Sequence, residues 1–101
     1  MEGGVMNYVH ITGRVMRDAA ASSMETPMYF CVKVDNEAGD FTLVDCVALP
    51  STFDQFECSL DKDEFVDVEG SLTFRTWTDS MGRRRSGMEV LMRSIDFPEG
   101  D

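Results

Sequence analysis

The segment Glu64–Thr78 (EFVDVEGSLTFRTWT) constrains the fold more than any other, because apolar Val66, Val68, Leu72 and Phe74 alternate with polar side chains on either side of Gly70. A period of two belongs to a strand that buries one face. A strand this long has to curve to stay within a small body, and Gly70 permits the bend without a side-chain clash. The rest of the chain must then wrap one long, bent strand, as a closed sheet does.

Shorter extended segments surround it. Tyr8–Arg17 (YVHITGRVMR) reads as a first strand, with Val9, Ile11, Val15 and Met16 half buried and Gly13 marking a bulge or bend. Asp18–Pro27 is small, polar and closed by proline, which makes it a loop. Met28–Asp35 alternates, with Phe30, Val32 and Val34 facing one way and Tyr29, Cys31 and Lys33 the other. Asn36–Asp40 supplies turn residues, and Phe41–Leu49 is apolar on both faces, as in a covered strand. Pro50-Ser51-Thr52 starts a short helix whose hydroxyls are placed to cap free N–H groups, and Phe53, Phe56 and Leu60 at i, i+3 and i+7 give it one apolar side. After the long strand, Asp79–Gly87 (DSMGRRRSG) is a hairpin loop with three consecutive arginines, and Met88–Phe97 is the last strand. The order β-β-β-α-β-β predicts an all-β, five-stranded Greek-key barrel of the OB type, with one short helix between strands three and four.

One core is the most that 101 residues can build, so 1–101 reads as a single domain with a loose leader at 1–6 and a loose end at 98–101. Nine Lys and Arg against 19 Asp and Glu leave a formal charge of −10, which argues against a uniformly basic binding surface. The distribution is lopsided. Asp35–Glu69 holds 11 acidic residues against Lys62 alone, whereas Gly70–Ile95 holds Arg75, Arg83, Arg84, Arg85 and Arg93 against Asp79 and Glu89. Cys31, Cys46 and Cys58 are odd in number and contain no C-x-x-C pair, which fits a reducing cytoplasm. His10 is the only histidine, so no spacing suits a zinc cage or a Cys–His nucleophile, and neither metal nor cofactor is expected. No apolar run approaches the roughly 18 residues of a membrane span, and the start lacks the basic-then-apolar order of a secretion signal.

Asn7–Arg14 (NYVHITGR), Val66–Leu72 (VDVEGSL), Arg75–Asp79 (RTWTD) and the later M-E-V-L of Met88–Leu91 carry a resemblance over most of the chain. They are similar to the opening, fourth and fifth strands of the bacterial single-stranded DNA-binding proteins. The resemblance implies sequence-independent binding of single-stranded DNA in replication, recombination or repair, by a homo-oligomer, dimer or tetramer, with replication proteins as further partners. Such a site combines cationic contacts to phosphate with aromatic faces for bases. Trp77 is the candidate platform, with Arg75 beside it on the same face of the strand; its bland alternative is a capping core residue at the strand end. Arg83, Arg84 and Arg85 fall in the loop with which this family reaches for DNA, or form only a soluble hairpin tip. Arg14, Lys33 and Tyr29 are supplementary contacts.

The chain also departs from that family. Leu43, Asp45 and Leu49 stand on the third strand where the family carries an aromatic, a basic residue and a further aromatic, so Asp45 places a carboxylate where a phosphate contact is expected. The sequence ends at Phe97-Pro98-Glu99-Gly100-Asp101, so the family's acidic recruiting tail is not expected here. A second reading is thus a primosomal-type, phage or plasmid accessory OB module acting mainly through protein–protein contact, its acidic face and Leu43 and Leu49 docking a basic partner. An enzyme is not expected, since no paired nucleophile and base and no phosphate-cradling glycine loop stand out.

Overall fold

In the computed structural model, residues 6–98 are described, so the leader and the loose end expected at 1–6 and 98–101 lie outside the described residues except for Met6 and Pro98. The alternating segments form β1 (Val9–Val15), β3 (Met28–Asp35), β4 (Phe41–Ala48), β6 (Phe65–Thr78) and β7 (Arg84–Asp96). Two short strands, β2 (Ala19–Ala20) and β5 (Ser59–Leu60), pair with each other, and a 3-10 helix spans Pro50–Gln55. The five long strands close in the order β1-β3-β4-β7-β6, with β1 bonded to both β3 and β6. Every neighbouring pair is antiparallel except β4 and β7. This is the five-stranded barrel that the element order predicts.

Up to Gly70 the inward side chains are those the alternation selects, whereas Leu72 and Phe74, on the same face of the long strand beyond it, are exposed. Val15, Val32, Val66, Val68 and Val90 are fully enclosed, packed with Phe30, Cys46, Met92 and Ile95. β-branched residues suit this position because their side chains pack closely on a pleated surface. The long strand bends at Gly70, where the β6–β7 register shifts and Arg93 becomes the extra residue between Ser94 and Met92. A Cβ at Gly70 would run into the Leu91 carbonyl, so the bulge requires glycine. Gly13 behaves differently from the expected bulge. The β1–β6 register runs evenly through it, and glycine is needed there because β1 passes against the Lys33 backbone.

The short helix is tighter and briefer than the i, i+3, i+7 spacing suggests. Pro50 occupies its first turn, where a missing N–H costs nothing, but Thr52 Oγ1 donates to the Leu49 carbonyl at 2.7 Å and no hydroxyl caps an N–H. The chain is already extended at Phe56, so Leu60 reaches the core from β5, after a positive φ of 61° at Cys58. Phe53 and Leu60 are both buried, so the apolar spacing marked the right residues for a helix only half present. Gln55 fastens the helix to the bulge: its amide donates to Arg93 O at 2.8 Å and accepts from Ile95 N at 3.0 Å, serving backbone groups near the irregular register. Ala19 and Ala20, expected in a loop, pair with Leu60 and Ser59.

Candidate functional site

Beyond the bend, and past the Val90–Cys46 contact with β4, β6 and β7 run on as a two-stranded arm, from the Thr73–Glu89 pair to Thr78–Arg84. On the arm's outer side Thr73, Arg75 and Trp77 lie in line, with Glu89, Gly87 and Arg85 opposite them. Tyr29 of β3, also pointing outward and half exposed, approaches the same place. The Arg75 guanidinium lies 4.6 Å from the centre of the Tyr29 ring and 5.0 Å from that of Trp77. Its Nη1 is 3.7 Å from Glu89 Oε1. Three residues from two separate strands thus form one aromatic–cation–aromatic cluster at the base of the arm. Trp77 is 39% exposed, with the indole over Gly87, so it does not serve as a buried cap.

Four residues further along β3, roughly 13 Å at the usual strand rise, Lys33 stands beside Arg14 of β1. Each is held by an aromatic ring: Lys33 Nζ lies 4.6 Å from the Phe41 ring centre, and Arg14 Cζ 5.1 Å from that of Phe65. Arg14 Nη1 also donates to the Asp63 carbonyl at 3.1 Å. Between the two clusters lie Cys31 and, paired with it on β4, Asp45. Burial, and after it the Asp45 carboxylate, push the Cys31 thiol above its ordinary value, and burial pushes Cys46 up to about 12. Both thiols therefore stay protonated and poorly nucleophilic.

The three consecutive arginines do not act as a unit. The turn between the strands is only Asp79–Arg83, closed by Asp79 N donating to Arg83 O at 2.9 Å and by Gly82 at a φ of 81°. Arg84 and Arg85 already belong to β7, so their side chains point to opposite faces. Arg85 lies on the Trp77 side; Arg84 lies on the other, with Met88 and Phe74. This corrects the placement of Arg84 and Arg85 in the hairpin loop, where Arg83 alone of the three remains, and the reason is that β6–β7 pairing extends further than the composition of the segment suggests. Asp79 fixes the tip. Its carboxylate accepts from Met81 N and Arg83 N, each at 2.9 Å, and from Arg85 Nε at 2.9 Å, with Arg83 Nε at 3.5 Å. Those bonds, the Arg83 amide first and the Arg85 guanidinium next, hold the Asp79 carboxyl below its ordinary value.

Of the residues singled out by sequence, Tyr29, Arg75 and Trp77 come together, Arg14 and Lys33 form a second group, and Arg83, Arg84 and Arg85 are divided. Sequence reasoning missed Glu89, Asp79, Phe41 and Phe65 as the partners that orient these groups. Only Asp79 carried a signal, as the first residue of a D-S-M-G turn. The chemistry on offer is stacking, cation–π contact and phosphate pairing. Among the described residues no cluster of His, Cys, Asp and Glu is arranged to hold a metal ion.

A family model described as the single-strand binding protein family matches residues 6–98. No curated protein matches the chain at a significant level. Among solved structures, the dimeric N-terminal domain of PriB from Thermoanaerobacter tencongensis superimposes with a TM-score of 0.67 at 16% identity, covering 93% of this chain and 98% of its own. The mitochondrial single-stranded DNA binding protein Rim1 of S. cerevisiae gives 0.67 at 13% identity, with 93% and 96% covered. The Plasmodium falciparum SSB complex with ssDNA gives 0.67 at 17% identity, with 95% and 96% covered. At these identities the likeness is one of fold.

Proposed function

We propose single-stranded DNA as the ligand of this chain, which belongs to the single-strand binding protein family, and the Tyr29–Arg75–Trp77 face as the place where it binds. The observation that carries this reading is the exposed indole and phenol held on either side of one guanidinium. Bases stack on the free ring faces, which every base can do, so binding is tolerant of sequence. Phosphates run past Arg75, Arg85 and the Arg14–Lys33 pair, so the strand crosses the outer surface from the arm towards β1. The protein works without catalysis, in the cytoplasm, in DNA replication, recombination or repair.

A second role, docking to protein, is favoured by one observation. The other side of the arm and of its base exposes Leu72, Phe74 and Met88 together, more apolar surface than an isolated barrel needs to show. We assign that side to assembly, as a homo-oligomer, and to contacts with replication proteins.

Anisotropy of a labelled mixed-sequence oligomer tests the principal reading. The single strand binds and the matching duplex binds far more weakly; Trp77→Ala lowers single-strand affinity about tenfold or more, in line with about 1–3 kcal/mol for one stacked base. Equal affinity for the variant and the parent protein, or no binding at micromolar protein, would contradict it.

A further inference from the structure

Asp45 is outward-facing and exposed, and it lines the same depression as Tyr29, Arg75 and Trp77. The second carboxylate there, Glu89, is engaged by Arg75 at 3.7 Å and its side chain is only 11% exposed. Asp45 forms no ion pair among the described residues. A carboxylate accepts hydrogen bonds and offers none, and it repels phosphate. The Cys31 thiol opposite it is only a weak donor, so most of the acceptor capacity of Asp45 is left for whatever lies against it when a base stacks on the adjacent rings.

The base edges differ at this point. Cytosine presents an amino group at N4 and thymine a carbonyl at O4, while both are pyrimidines of similar shape and stacking area. We propose that Asp45 gives this face a preference for amino-bearing bases, cytosine over thymine, by accepting a hydrogen bond from the exocyclic amine of a base stacked beside Trp77 and Tyr29. This rests on the single-strand reading above and adds a specificity to it. The contact reads one base, so the protein stays tolerant of sequence elsewhere along the strand. The carboxylate penalises thymine twice, since O4 meets it lone pair to lone pair and no water displaced from Asp45 is replaced by a donor.

The test compares equal-length oligodeoxycytidine and oligodeoxythymidine at neutral pH by anisotropy, on the parent protein, Asp45→Asn and Asp45→Ala. The parent binds the cytidine oligomer about fivefold more tightly, as expected for about one hydrogen bond of net discrimination. Both variants bring the ratio close to one, mainly by tightening the thymidine oligomer. Equal affinities in the parent protein, or a cytidine preference that persists in Asp45→Ala, overturn the proposal while leaving the single-strand reading standing. A uniform gain for both oligomers in Asp45→Asn, with the ratio unchanged, also overturns it, because Asp45 would then act only as a repelling charge. If neither oligomer binds, the single-strand reading fails along with it. Asp45→Asn keeps the shape of the side chain at an exposed site, so loss of fold does not enter.

Discussion

A guanidinium lying between two aromatic rings is attracted to both, and Arg75 meets Tyr29 and Trp77 at 4.6 and 5.0 Å while pairing with Glu89. Each such contact is worth about 0.5–1 kcal/mol where solvent reaches it. Together they hold the two rings in place, which on the proposed reading lowers the ordering cost of binding a base. Asp79 does the same for the tip of the arm, and there pH is the lever. Its carboxyl is held below the ordinary value of 3.8 by the Arg83 amide and the Arg85 guanidinium. A depressed carboxyl contributes fully above its unfolded value and loses that contribution as pH falls below it towards the folded one. The turn is therefore intact at neutral pH and loosens in acid below about pH 3.8. An NMR titration shows this as protonation of Asp79 later than other exposed carboxyls, with the Arg83 amide shifting in step, and Asp79→Ala shows a loosened turn already at neutral pH. An Arg83 amide indifferent to both changes would contradict it. The Arg75–Trp77 adjacency was legible in the sequence because residues two apart on a strand share a face. The Asp79 clamp and the rings under Arg14 and Lys33 were not, because they depend on which residues the register sets opposite one another.

At the scale of the element, the arm exists because β6 and β7 outrun the barrel, and the bulge at Gly70 aims them. The sequence announced the length of β6 and the bend; it did not announce where β7 begins, because R-R-R-S-G reads as loop composition although Arg84–Gly87 pair as strand with Arg75–Thr78. The same override explains Leu60, whose helical spacing delivered it to the core on a two-residue strand. Gly70 and Gly87 separate aim from platform. Gly70→Ala drives a Cβ into the Leu91 carbonyl and should destabilise the fold by about 1–3 kcal/mol. Gly87→Ala meets only the edge of Trp77, at 3.8 Å, and should leave stability within about 0.5 kcal/mol. Urea midpoints decide between them; similar losses at both positions would show that the bulge does not depend on a bare backbone.

For the whole molecule, the proposed reading requires a body of net charge −10 to attract a polyanion, which a segregated charge distribution would allow. The acidic run Asp35–Glu69 lies outside the arm, which carries Arg75, Arg83, Arg84 and Arg85 against Asp79 and Glu89, although Asp45 of that run lines the depression at the arm's base. Composition argues against a uniformly basic surface, and the lopsided distribution is what directs the proposal to the arm. The most direct measurement is the emission of Trp77, the only tryptophan, during titration with an unlabelled single strand at increasing salt. Quenching that saturates, with an affinity falling by about 0.7 log unit per log unit of salt for each phosphate neutralised, is what this account predicts. Emission unchanged across micromolar DNA at low salt would contradict it.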